Sequence, residues 1–175
     1  MFSTIAREYK YIRFFVKLLG RSKKLDKNKS LTVPDMIEES IDKFSNNIAI
    51  EFEDKSYTYS DLDKESNQVA NWAINKGYKT GDVVALLMEN KPEFIFIWLG
   101  LSKLGITIAC LNNNIKSKSL AHCIQTSKSK SLILSSDLID NYSSAEDLID
   151  DQLSVYVSGD KVQGFENIDD DNEKN

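Results

Sequence analysis

Apolar positions near the start of the chain recur at helical spacing. Ile5, Tyr9, Ile12, Phe15, Val16 and Leu19 share one face of a helical projection, and Arg7, Lys10, Arg13, Lys17 and Arg21 gather on the other. The pattern predicts an amphipathic basic helix, followed by the charged linker RSKKLDKNKS. Met36, Ile37, Ser40, Ile41 and Phe44 then predict a helix starting around Pro34. Ile48 to Phe52 reads as a strand, EDKS as a turn, and Tyr57 to Tyr59 as the returning strand of a hairpin. Ser60 with Asp63 resembles a capping box for a helix through Leu62, Ser66, Val69 and Ala73 that stops at Gly77.

After Gly81 the periodicity changes. VVALLM lacks polar alternation, which is the mark of a parallel strand covered on both faces. Phe94 to Leu111 then runs almost continuously apolar at close to bilayer-spanning length. Lys103 sits near its middle, where a spanning helix pays about 2.5–3.5 kcal/mol. Residue types also shift across Gly105, from Phe94, Trp98, Leu99, Leu101 and Leu104 to Ile106, Thr107 and Ile108. The run therefore predicts a helix N-capped by Asn90, with Pro92 in its first turn and Gly105 as its stop, and then a strand from Ile106 to about Leu111. A helix from about Ser119 to Thr126, the strand SLILSS and a helical stretch opened by Asp137 follow.

The expected fold class is α/β: a partial open parallel sheet with flanking helices and a small β-hairpin, preceded by the amphipathic basic helix. Three regions are expected: 1–30 as basic helix and linker, 31–158 as the folded body, and 159–175 as an acidic, disordered tail. The 175 residues, 41% hydrophobic, suit one core.

The net charge of −5 conceals a polarity. The first thirty residues are strongly basic, with only Glu8 and Asp26 as acids, whereas residues 137–175 are strongly acidic, with only Lys161 and Lys174 as bases. The basic helix is read as a membrane-contact element through Arg7, Lys10, Ile12, Arg13, Phe15, Val16, Lys17, Leu19 and Arg21, docked on an anionic lipid surface. The bland alternative is a solvated face of a helix packed on the protein. No nucleic acid partner is expected, because the acidic total opposes a polyanion. The N-terminus lacks the order of a cleaved signal. Cys110 and Cys123 read as free thiols of a reducing compartment.

Catalytic signals are sparse. GDKVQG, residues 159–164, has phosphate-loop glycine spacing, but Phe165 and Glu166 stand where Lys and Ser or Thr are required. It reads as a surface turn. His122 and Cys123 are adjacent and diverge by about 100° on a helix, so they form no nucleophile and base pair. Asp169 and Asp170 fall in the expected disordered tail, where acid and base groups cannot be positioned. No residue is assigned a catalytic, cofactor-binding or metal role.

Three strings, YTYSDLDKESNQVANW, GYKTGDVVALLMENKPEFIFIWLGLSKLG and ACLNNNIKSKSLAHC, resemble the fatty acid transport proteins. This family, also called very-long-chain acyl-CoA synthetases, lies within the AMP-forming adenylating superfamily. The resemblance runs from about Leu31 to Leu134, and more loosely to Gly159. It implies a long-chain fatty acid–CoA ligase that uses ATP and Mg²⁺ to form an acyl-adenylate and passes the acyl group to coenzyme A, coupled to fatty acid uptake. It also implies placement on a membrane, on the cytosolic face of the endoplasmic reticulum, plasma membrane or peroxisome. The family's lysine-ended phosphate loop, adenine-binding strand, ribose-binding aspartate and small C-terminal domain have no match here. The chain thus reads as the first part of a larger synthetase, expected to be inactive and to bind none of these cofactors alone. The alternative is a non-enzymatic module that binds a membrane or partner through its basic helix.

Overall fold

The computed structural model describes residue 16, residues 31–150 and residues 152–170. Two units are distinguished, Met1–Ile37 and Glu38–Asn175. In the first, Thr32 and Asp35 cap the opening turn of helix α1 (Val33–Phe44): Asp35 Oδ2 accepts the Thr32 N–H at 2.6 Å and the Thr32 Oγ1–H at 2.7 Å. Those bonds hold the Asp35 carboxyl below the usual aspartate range. Of the nine residues read as membrane-contacting, Val16 is helical and exposed; the other eight lie outside the described residues.

The second unit takes in the rest of α1 from Glu38 and then the hairpin of β1 (Ile48–Phe52) and β2 (Lys55–Thr58), paired antiparallel. Helix α2 (Tyr59–Asn75) follows directly. Its capping box is Thr58 with Asp61, not Ser60 with Asp63. The chain enters the helix two residues earlier than the sequence suggests, because Thr58 is still extended when its hydroxyl reaches the Asp61 N–H. The reassignment frees Asp63 for a different partner.

Five strands form one parallel sheet in the order β4-β3-β5-β6-β7: β3 (Val83–Leu87), β4 (Thr107–Cys110), β5 (Ser131–Ser135), β6 (Ser154–Ser158) and β7 (Glu166–Asn167). Helices α3 (Pro92–Lys103), α4 (Ser117–Ser127) and α5 (Ile139–Ser143) connect them, with a short 3₁₀ turn at Ser136–Leu138. Strands β3 and β5 feed both faces. Val84, Leu86 and Ile133 pack against Val69, Trp72, Ile97 and Leu101 of α2 and α3. Ala85, Leu87, Leu132 and Leu134 pack against Leu120, Ala121 and Ile124 of α4. Double coverage accounts for the missing polar alternation in β3 and β5.

Phe94 to Leu111 is a largely buried helix followed by a half-exposed edge strand, and no helix among the described residues is long and apolar enough to cross a membrane. Gly105 supplies the positive φ, +70°, that ends α3. The N-cap, however, is Lys91 rather than Asn90, with no side-chain bond to the first turn. Pro92 at the first helical position sets this boundary: its fixed φ suits the first turn, and the residue before proline is kept extended.

Residues 159–170, expected as part of a disordered tail, are instead structured. β7 pairs with β6, and Ile168 is buried in the same core as Trp72. Buried Ile168, Val162 and Phe165 packed on the other core, the latter edge to face with Tyr142 at 5.7 Å, and a line of side-chain hydrogen bonds order a segment whose composition is polar. Strand β6, which the sequence reading did not single out, lies between β5 and β7.

Candidate functional site

The sheet's crossover reverses between β3 and β5, because β4 lies on one side of β3 and β5 on the other. In open parallel sheets, ligands bind outside the carboxyl ends of the strands at such a point. Here the carboxyl ends carry polar residues. Ser135 closes β5, Ser158 closes β6, and the two are paired in register. Both are buried, because each strand's last residue still lies under the following connection.

Lys91, on the connection from β3 to α3, reaches across this point. Its Nζ donates to Ser135 Oγ at 2.7 Å and lies 3.4 Å from Asp137 Oδ2. Ser135 Oγ also donates to Asp137 Oδ2 at 3.2 Å. The cation is thus engaged by the chain's own groups.

Beside Lys91 opens a cleft of about 470 Å³. Tyr57, Val69, Phe96 and Ile97 give it an apolar wall, with the Tyr57 and Phe96 rings edge to face at 5.4 Å. The opposite wall is Ser158, Gly159 and Asp169, and Glu65 and Glu93 add two further carboxyl groups. Asp169 accepts from Gly159 N–H at 2.8 Å and from Ser158 Oγ–H at 3.3 Å. Burial pushes its carboxyl above the usual aspartate range, those hydrogen bonds pull it back, and the nearby Glu93 carboxylate adds to the rise.

The sequence reading did not bring these residues together. Asp169 was set aside with Asp170 as part of a disordered tail, yet it is held in the cleft wall. A legible signal was available: SLILS and SVYVS are both Ser, three apolar residues, Ser, so the second repeats the pattern of a buried strand ending in a hydroxyl. GDKVQG forms the turn between β6 and β7, with Gly159 at φ +101° and Lys161 bound to Asp170 at 2.8 Å. His122 is exposed on α4, and Cys123 beside it is half-buried. Cys110 and Cys123 are both free, and burial raises the Cys110 thiol. Among the described residues no group of three His, Cys, Asp or Glu side chains is placed to hold a metal.

Chemically, the cleft combines an apolar wall, acceptor groups and one neutralised cation. Among the described residues that line it there is no nucleophile with an adjacent base.

A family model described as AMP-binding enzyme matches residues 37–175. Long-chain fatty acid transport protein 6 of Mus musculus is 46% identical over 89 residues, which is 50% of this chain and 14% of that protein. Long-chain fatty acid transport protein 2 of Rattus norvegicus is 37% identical over 132 residues, or 73% of this chain and 21% of that protein. The chain therefore spans about a fifth or less of these relatives. Among solved structures, the anthranilate CoA ligase AuaEII in complex with anthranoyl-AMP superposes with a TM-score of 0.75 at 21% identity, covering 82% of this chain and 28% of that one. Fold and sequence agree: the chain belongs to the AMP-binding enzyme family.

Proposed function

We propose that the chain supplies the amino-terminal part of the adenylating domain of a long-chain fatty acyl-CoA ligase of the fatty acid transport protein type. The observation that carries this reading is the similarity to rat long-chain fatty acid transport protein 2 over most of the chain. The enzyme would use ATP and Mg²⁺ to make a fatty acyl-adenylate and then transfer the acyl group to coenzyme A. In that reaction the sheet and its helices act as scaffold, and the carboxyl-end cleft is one wall facing the rest of the domain. The chain by itself is inactive, because nothing in the cleft holds cationic donors against a phosphate as charge moves in the transition state.

A chimera tests the assignment. Residues 37–175 replace the matching segment of the rat protein, and ATP- and coenzyme A-dependent thioester formation from a long-chain fatty acid is measured. Retained activity is expected; a folded chimera that forms no thioester would overturn the reading.

The basic segment, residues 1–30, is assigned to an anionic membrane surface, where each basic residue contributes about 1 kcal/mol. Binding of the full chain to phosphatidylserine vesicles should weaken with salt, since exposed charges are screened over about 8 Å at physiological ionic strength. Deleting residues 1–30 should abolish it. Equal binding by the shortened chain would place the docking surface elsewhere.

A further inference from the structure

The cleft at the carboxyl edge gathers charge of one sign. Glu65 of α2, Glu93 of α3 and Asp169 all line it, and all three are half-buried. Among the described residues neither the Glu65 nor the Glu93 side chain has an ion-pair or hydrogen-bond partner. Asp169 accepts from a backbone amide and a hydroxyl, not from a cation. Glu93 stands in the first turn of α3, where the helix dipole offsets about half a unit of charge at most. Lys91, the cation among the lining residues, is drawn to Ser135 and Asp137. On the same edge Glu89 follows β3, and its Oε2 is buried with no hydrogen-bond partner among the described residues. Carboxylates gathered half out of water repel one another, and a cation seated between them reverses the sign of that interaction.

The uncharged side of the cleft fixes what else an occupant carries. Tyr57 and Phe96 meet edge to face at 5.4 Å, and Val69 and Ile97 extend the apolar surface beside the acids. An arginine or lysine suits both halves: its head pairs with carboxylates and lies against aromatic rings, and its stem covers apolar surface. The volume of about 470 Å³ accommodates such a side chain with an apolar neighbour. Most of the anthranilate CoA ligase that shares this fold has no counterpart here, since this chain covers 28% of it.

We propose that the carboxyl-end cleft is the seat of a basic segment from the remainder of the adenylating domain, an arginine or lysine entering among Glu65, Glu93 and Asp169 with an apolar neighbour against Tyr57 and Phe96. Complementary charge then sets the register in which the two parts of the domain meet, and unpaired carboxyls discriminate against a neutral or acidic surface in the same place. This role for the cleft rests on the ligase assignment.

Carboxyl labelling of the full chain and of the chimera with the rat protein tests it. A carbodiimide with glycine ethyl ester modifies accessible carboxylates, and mass spectrometry reads the rate at each residue against the urea-unfolded protein. Glu65 and Glu93 should label readily in the full chain and about tenfold or more slowly in the chimera. Glu65→Gln combined with Glu93→Gln then separates a seated cation from mere cover, and the amides break no hydrogen bond. The double variant should leave the full chain as stable or more so, because repulsion is relieved. In the chimera it should speed proteolysis by about tenfold, because the cation loses its partners. Equal labelling in chain and chimera, or a double-variant chimera as resistant as its parent, overturns the proposal. A protected chimera that forms no thioester counts against the ligase assignment alone, and an active chimera with open carboxyls counts against the cleft alone. Should the chimera not fold, the full chain decides. Acetyl-phenylalanyl-arginine amide should slow labelling at Glu65 and Glu93 more than its citrulline analogue, which has the same shape without the charge. Equal slowing, or none, sinks the proposal.

Discussion

Lys103 Nζ lies 2.7 Å from Asp63 Oδ1 and ties helix α3 to helix α2. Asn67 Oδ1 accepts from the same ammonium at 2.7 Å, and Glu38 of α1 stands 3.8 Å away. The lysine side chain is 10% exposed and that of Asp63 34%. Removing either partner strands the other, and the more buried charge suffers more. Lys103→Met leaves Asp63 within reach of water and should cost about 1–3 kcal/mol. Asp63→Ala should cost more, since it leaves Lys103 with its amide partner and a distant glutamate. Urea unfolding of both variants checks the order; a cheaper Asp63→Ala would contradict it.

Gly100 sets how closely the same two helices approach. A Cβ added there would stand 2.8 Å from Val69 Cβ and would also meet the Ser66 carbonyl oxygen. In an open helix interior Gly→Ala gains about 1 kcal/mol. Here the clash reverses the sign, and Gly100→Ala should destabilise by about 1–3 kcal/mol. Val69→Ala should not rescue it, because alanine keeps the Cβ and the Ser66 carbonyl stays where it is. A stabilised single variant would show that the helices separate without cost.

The start of α2 distinguishes two cap positions. Thr58→Ala should cost about 1 kcal/mol, and Ser60→Ala should be close to neutral. Thr58 also donates to Asp61, whose carboxyl is thereby held below the usual range. A depressed carboxyl stabilises the fold above its unfolded value of about 3.9, and that contribution is lost as pH falls through the lower folded value. Thermal melts at neutral and acid pH should therefore show the Thr58→Ala penalty shrinking toward low pH. A penalty independent of pH would assign it to the hydroxyl cap alone.

Much of the fold was legible because burial on two faces leaves a coarse mark. VVALLM could be placed as a covered parallel strand from its lack of alternation, SLILSS as a strand following a helix, and the apolar run around Lys103 could be divided at Gly105. The caps were less legible. Thr58 and Ser60 offer the same hydroxyl, and only the point at which β2 stops being extended decides between them. The cleft was least legible. Ser135, Ser158 and Asp169 meet because strands far apart in sequence end at one edge, and Asp169 stands in a segment whose composition gives no sign of order. Val162, Phe165 and Ile168 are its apolar anchors, and three side chains divided between two faces leave no periodicity to read.

The strand order also bears on how the chain is made. β3 is flanked by β4 and β5, but only β4 is joined to it by a single helical connection. A ribosome releasing about 5–20 residues per second needs on the order of seconds to deliver β5 after β3. Throughout that interval Val84 to Leu87, fully covered in the finished sheet, present one unsatisfied hydrogen-bonding edge and an uncovered apolar surface to solvent or to a neighbouring nascent chain. The order that creates a crevice at the carboxyl edge thus also creates a window during synthesis in which a chaperone has a defined strand to hold.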